Sequence, residues 1–395
     1  MKKLLIPIIV AAVIAAGALI VTRLILAPKP QTVSSYIQNS YSPEWYAVQA
    51  QLWEKQVRKH PHDDASWINW FKATRYNILL QASESHSNGF DYTPLHKITE
   101  RLQKEYPGSF AGYFIEYMDK PDESNRDNMY KAIQMRPDYV DLYPEYVLYL
   151  LKRGDSNLLE DILKRWYQSG EYSKTLLSYA YNEMAGMEPG GVMILNSESP
   201  FYSSLLVQYG MGAFKDKTII LYNLLYDPGY RESICNQLGI EDFAINTRQT
   251  LYEKPAHLSE IIAGQTGRPV YFSTFLSELF YHEEFFLNNV YSEGLVYRYS
   301  PVKYDNLSVK RRNFEQVYNL DYLYNTSDKD VYRQQAMFVN LNYVPCFSSL
   351  LKYYRAVGNT EQEQKLYKLL KHILDSNSGN LSNEQRKVFY NEINL

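Results

Sequence analysis

The chain has 395 residues, a formal net charge of −3, 38 tyrosines and two cysteines. That length gives room for two or three domains, each with its own core. The charge excludes nucleic acid as a partner drawn by overall electrostatics, and Cys235 and Cys346 form no CxxC, so one disulfide or two core thiols fit them equally.

No residue from 4 to 21 is charged, a run approaching the ~20 apolar residues that cross a bilayer as a helix. Lys2 and Lys3 precede it and Arg23 and Lys29 follow, so the positive-inside rule favours a cytoplasmic N-terminus only by a short margin. Ala16-Gly17-Ala18 has the small-residue pattern of a signal-peptide cleavage site, which is the rival reading. Apolar residues continue past it to Val21 and again from Leu24 to Ala27, which favours an uncleaved anchor over residues 1–26. A single-pass inner-membrane protein facing the periplasm is expected. Taking the four positive charges of residues 1–30 from the net −3 leaves −7 on the remainder, which does not attract anionic headgroups by overall charge. Residues 27–42, rich in Pro, Ser, Gln and Asn, read as a tether holding the folded part off the membrane.

Residues 43–186 read as tetratricopeptide-like helical hairpins. A helix runs into a proline turn and a new helix follows at His60-Pro61-His62, Tyr106-Pro107-Gly108 and Arg136-Pro137-Asp138, and the interval from Pro107 to Pro137 is close to the 34-residue period of that class. The stretch around residues 83–92 reads as a loop insertion, after which Thr93 and Pro94 supply a cap and a first-turn proline.

Residues 187–302 break this pattern. Val192-Met193-Ile194-Leu195, a polar turn, a helical stretch and Thr218-Ile219-Ile220-Leu221-Tyr222 outline a buried parallel strand-helix-strand unit. Residues 270–273 and 294–299 add two candidate strands, and a helix over 256–263 is closed by Gly264. A small Rossmann-like, mostly parallel sheet with flanking helices is expected. Residues 303–395 return to helices. Leu366, Leu369, Leu370 and Ile373 recur at helical spacing, and Gly358-Asn359 separates them from the preceding helix as one closing hairpin. The fold class is thus mostly α with an α/β insert.

Open parallel sheets bind ligands beyond the carboxyl ends of their strands, which singles out Asn196, Ser197, Glu198 and Ser199, and Asp227 after the second strand, as candidate ligand-binding residues. Glu198 suits a general acid or base, or a hydrogen bond to a sugar hydroxyl. Ser-Glu-Ser-Pro is equally an ordinary helix cap with an anion-complementary first turn. His60, His62, Asp63 and Asp64 have the chemical types of a metal site but sit at a repeat turn, without the i, i+4 spacing of a helical zinc pair. His282-Glu283-Glu284 lacks the second histidine of HExxH, Gly210-Met211-Gly212 is not a dinucleotide loop, and neither a phosphate loop nor a GxSxG elbow occurs. No catalytic residue, metal or cofactor is expected.

Several stretches together resemble the soluble C-terminal region of a family of multi-pass bacterial membrane proteins related to protein O-mannosyltransferases. They are residues 192–198, residues 220–230 with Asn223, Leu224, Asp227 and Tyr230, residues 269–272, and Glu293-Gly294-Leu295-Val296-Tyr297-Arg298 with Pro301. Asn342-Tyr343 with Phe347, Leu350, Leu351 and Gly358-Asn359 resembles that family's closing helical repeat. The resemblance covers roughly residues 187–375. The family's acidic loop is depleted here to Asn196-Ser197-Glu198-Ser199-Pro200, and one span cannot house its transferase part. The resemblance therefore implies an accessory region without the transferase. Two roles follow as expectations. One is a non-catalytic envelope scaffold or adaptor that binds partner proteins of the envelope, members of a membrane complex among them, through the hairpins and the α/β region. The other is a glycan-binding or accessory subunit of an envelope protein-glycosylation system, to which the surplus of Tyr and Trp also points.

Overall fold

The computed structural model describes residues 28–34, 41–84, 89–243, 253–276, 284–325 and 333–394. The expected anchor over 1–26 lies outside them, as do His282 and Glu283. Among the described residues no helix is long and apolar enough to cross a membrane. The chain is mostly helical with one small sheet, and it divides into two compact units, one ending at Arg136 and the other beginning at Pro137.

The first unit carries helices Pro43–Lys59, Asp64–Glu84, Thr93–Glu105, Phe110–Asp119 and Arg126–Met135. Ser42 caps the first by accepting the Trp45 N–H, with Pro43 in its first turn, and Ser109 caps the fourth by accepting the Gly112 N–H. Pro61 and Pro107 lie in the turns before helices, as the sequence predicts. Thr93, expected to cap, is instead the first helical residue, and its N–H is taken by Asp91 at 3.0 Å. Trp67, Phe71, Leu102, Phe110 and Phe114 fill the core.

Part of the expected tether is no tether. Val33 is buried, its N–H donates to Asn69 Oδ1 at 2.6 Å, and the Gln31 N–H donates to Gln49 Oε1 at 2.8 Å. The Trp53 indole N–H donates to the Gln31 carbonyl at 2.9 Å. Composition suggested a free linker, but amide side chains on two helices satisfy the backbone of residues 28–34, and this pins the segment down.

The second unit is built on a five-stranded sheet in the order β2-β1-β3-β5-β4, with β1 Val192–Leu195, β2 Thr218–Leu221, β3 Val270–Ser273, β4 Val290–Ser292 and β5 Val296–Tyr299. β1 pairs in parallel with β2 and β3, so Ile194 aligns with Ile220 and with Phe272. All three strands are buried throughout, which is why each reads as a continuous apolar run. The sheet is not mostly parallel, as expected, but mixed: β5 runs antiparallel to both β3 and β4. Only three residues join β4 to β5, and so short a connection can make only an antiparallel hairpin.

The division at Arg136 and Pro137 comes well before the 186/187 boundary expected from the sequence. Helices Tyr143–Arg153, Ser156–Ser169 and Lys174–Gly186 belong with the sheet; Tyr172 on the way into the third of them donates to the Ser199 carbonyl at 2.9 Å. Helix Glu253–Thr266 passes through Gly264 and stops before Gly267, whose φ of +65° suits glycine. Three helices, Tyr343–Ala356, Thr360–Ser376 and Asn383–Asn394, end the unit where one hairpin was expected. Cys235 and Cys346 are both buried and free, which decides for two core thiols.

Candidate functional site

The amino ends of the three parallel strands are closed by one side chain. Arg268, just before β3, donates to the Gly190 carbonyl and to Thr218 Oγ1 at 3.0 Å, while the Gly190 N–H donates to Asp216 at 2.8 Å. Any ligand site of the sheet therefore belongs at its other end.

At the carboxyl end the predicted residues separate into two kinds. Asp227 caps helix Pro228–Leu238, accepting the Tyr230 N–H at 3.1 Å, so its carboxylate is committed to backbone. Ser199 Oγ accepts from Gln335 on helix Arg333–Asn340 at 3.1 Å, and its carbonyl is held by Tyr172. Asn196 gives its carbonyl to the Asn223 side chain at 3.1 Å, which ties the loop after β1 to the turn after β2. Ser197 stands at the N-cap of helix Glu198–Leu205 but makes no side-chain cap bond, contrary to the capping expectation. Glu198 is exposed as a residue, yet partial desolvation and the nearby Glu145 carboxylate push its carboxyl up from the usual range. Asn196, Ser197 and Glu198 are thus the less committed side chains of this set, Glu198 sharing a hydrogen bond with Tyr202.

Beneath them lies a buried polar cluster that no motif announced. Ser273, the last residue of β3, donates to Glu183 Oε1 at 2.7 Å, and both residues are fully buried. Tyr179 and Thr274 share a hydrogen bond of 2.7 Å, and Asn342 donates to the Tyr179 hydroxyl at 3.1 Å. Asn182 donates to the Asn319 carbonyl at 2.8 Å and to the Tyr343 hydroxyl at 2.9 Å. Burial raises Glu183 to about 8, against the hydrogen bonds of Ser273 and Thr274 that favour its carboxylate. Glu183 is therefore mostly neutral at pH 7. Its Oε1 joins helix Lys174–Gly186 to β3 through Ser273, while its Oε2 is buried with no hydrogen-bond partner of its own.

The Glu293-Gly294-Leu295 motif is also architectural. The Leu295 N–H donates to the Tyr318 hydroxyl at 3.1 Å, Asn313 donates to the Glu293 carbonyl at 2.7 Å, and Tyr304 donates to the buried Glu293 carboxyl at 2.6 Å. Arg298 pairs with Glu188 at 2.5 Å and lies 3.7 Å from Glu293. At the repeat turn of the first unit, Asp63 caps a helix through the Ser66 N–H, and Asp64 accepts from the Ala111 N–H at 3.0 Å and Arg136 at 2.8 Å. No group of metal-binding side chains assembles among the described residues.

A roomier concavity of the second unit lies elsewhere. A groove of about 700 Å³ is lined by Tyr167, Lys174, Leu177, Tyr181, Met211 and Asn319. Tyr181 packs edge-on against Phe214, with ring centroids 4.8 Å apart, and Phe214 holds a left-handed backbone at φ +53° that directs the chain from the groove toward β2. Tyr167 lies over Gly210, where a Cβ would come within 2.4 Å of it. Sequence reasoning missed this groove because its residues come from three separate stretches.

Compared with family models, curated proteins and solved structures, the chain matches none.

Proposed function

We propose that this chain is a non-catalytic scaffold or adaptor of the bacterial envelope, anchored in the inner membrane by residues 1–26, with its folded units on the periplasmic side. Partner proteins dock in the groove between Tyr167, Tyr181 and Met211, and the tetratricopeptide-like hairpins of the first unit offer a second surface. The observation that carries this reading is where polarity is spent. At the sheet's carboxyl end, where α/β enzymes place chemistry, most of the buried polar groups bond to one another, Glu183 Oε2 and Gln335 Oε1 excepted, whereas the roomier groove sets Tyr167, Leu177, Tyr181, Met211 and Val317 beside Gln168, Lys174, Ser178 and Asn319.

The test uses the full-length protein with a benzoyl-phenylalanine crosslinker at Tyr181. Ser178 also lines the groove; a defined set of envelope proteins recovered from membranes, lost with Ser178→Arg and retained with Glu198→Ala, supports the adaptor. Substrate turnover by the purified protein that disappears with Glu198→Ala would overturn it.

A second reading is a glycan-binding or accessory role in envelope glycosylation. It is favoured by the same groove, where Tyr167 and Tyr181 stand beside the amides of Gln168 and Asn319, the pairing of ring faces and hydrogen bonds that suits a sugar. Quenching of groove fluorescence by an oligosaccharide, abolished by Tyr181→Ala, would favour it over protein docking.

A further inference from the structure

Four tyrosine rings in the groove of the second unit are each held by a separate contact. Tyr167 lies over Gly210, Tyr181 stands edge-on to Phe214, Tyr172 meets Trp166 edge-on with centroids 5.4 Å apart, and Tyr318 meets Phe347 in the same way at 6.0 Å. The Tyr172 hydroxyl is tied to the Ser199 carbonyl and the Tyr318 hydroxyl to the Leu295 N–H, so these two buried residues bring ring surface to the groove. Each lip follows a single π-helical turn, Leu206–Gly210 before Met211 and Asn313–Val317 before Tyr318, a departure from α geometry that recurs at functional sites. Asn319 is fixed as well. Its N–H and carbonyl are taken by the Asn182 side chain at 2.9 and 2.8 Å, and its Oδ1 accepts the Asp321 N–H at 3.2 Å, which leaves its exposed amide nitrogen as a donor. Among the described residues lining the groove there is no carboxylate, and the one charged group is the Lys174 ammonium.

We propose that the partner segment seated here is proline-rich and bound as a polyproline II helix, with pyrrolidine rings against Tyr167 and Tyr181 and carbonyls accepting from Asn319 and Gln168. The proposal rests on the reading that partner proteins dock in this groove. Complementarity decides the occupant. Proline has no N–H, so such a segment presents only acceptors along its prolines, and its left-handed helix forms before binding and loses little freedom. Sugar hydroxyls donate as well as accept, and a lining without carboxylates serves those donors poorly. Addition of a partner strand is blocked where the wall runs extended, because Asn182 already occupies both backbone groups of Asn319. A helical partner bonds its own carbonyls internally and leaves the Asn319 donor only side chains to meet. Rigid aromatic slots beside hydrogen-bond donors suit a proline-rich chain on both counts.

The test titrates the full-length protein into fluorescein-labelled decaproline and follows anisotropy, with a labelled Gly-Ser decapeptide as control. A saturable rise with decaproline alone is expected. Binding should weaken about tenfold with Tyr181→Ala and with Asn319→Asp, which exchanges the donor for an acceptor of the same shape. Asn319 is exposed, so its variant keeps the fold even where the Tyr181 variant does not. Unlabelled decaproline should also block the capture of envelope proteins by the crosslinker at position 181. Capture that persists while decaproline neither binds nor competes overturns the proposal alone. No capture and no binding overturns the docking reading and the proposal with it. Binding unchanged in both variants puts the prolines elsewhere on the chain, and a block of capture by maltohexaose instead of decaproline assigns the groove to sugars; either result overturns the proposal.

Discussion

Ser273 Oγ donates to Glu183 Oε1 at 2.7 Å in the interior of the second unit, so the carboxyl end of β3 is fastened to helix Lys174–Gly186 by an acid side chain out of reach of water. Between the ordinary glutamate value of 4.5 and about 8, the folded chain keeps a proton that the unfolded chain has released. Stability should therefore fall as pH rises through that window and level off above it. Glu183→Gln removes this titration while keeping the shape of the protonated acid. Urea unfolding should give a stability gain for the variant, on the order of 1–3 kcal/mol at pH 8 and vanishing near pH 5. Parallel pH profiles for the two proteins would count against the assignment.

Tyr318 is approached by two glycines. A Cβ on Gly186 or on Gly294 would lie 2.7 Å from its hydroxyl, and Gly294 also holds φ at +116°. Gly294→Ala should cost about 2 kcal/mol or more from both causes. Gly186→Ala suffers only the clash, so its loss should shrink when combined with Tyr318→Phe. A double-mutant cycle with additive losses would contradict this.

Lys310 is buried, and its ammonium donates to Ser349 Oγ at 2.9 Å. Burial pulls its pKa below the ordinary 10.5, so the folded chain releases this proton before the unfolded one does and stability rises with pH between the two values. Lys310→Met keeps the stem, and water can serve the exposed Ser349. We expect a stabilisation of roughly 1 kcal/mol at pH 7 that fades toward pH 10, read by thermal unfolding in matched buffers.

Asn69 holds the segment that composition suggested was loose. Asn69→Ala leaves the buried Val33 N–H without its acceptor, a loss of about 1–3 kcal/mol at that contact. The visible result should be faster proteolytic cleavage near residues 28–34, with little change in the second unit's unfolding. Unchanged cleavage would show that Gln49 and Trp53 suffice to hold the segment.

Much of the fold was legible, for reasons that also explain the failures. β1, β2 and β3 declare themselves because strands buried on both faces need only apolar residues. β4 did not, since three half-buried residues following Asn288-Asn289 look like a helix end. The direction of β5 was hidden in Arg298, whose charge signals a strand with one wet face and so antiparallel pairing. At the site, Asn196 to Ser199 and Asp227 could be placed at the sheet's carboxyl end from topology alone. What each does there could not be, because Gln335, Asn223 and Tyr172 come from distant positions. Glu183 was invisible for the same reason: Asn182-Glu183 reads as a helix surface until Ser273, ninety residues away, is set against it.

The tyrosines have one more consequence. Tyr230 takes the Leu221 N–H, Tyr271 the Glu188 N–H and Tyr318 the Leu295 N–H, so phenols satisfy backbone N–H groups at the end of β2 and in loops beside the sheet. Burial raises all three hydroxyls above the ordinary phenol range and Tyr172 to about 12. These rings cannot ionise while the chain is folded at moderately alkaline pH. In a stopped-flow jump to alkali, the phenolate absorbance of the native protein should appear in two stages, an immediate one from exposed rings and a delayed one paced by unfolding. The protein thus carries its own optical clock for the loss of its second unit.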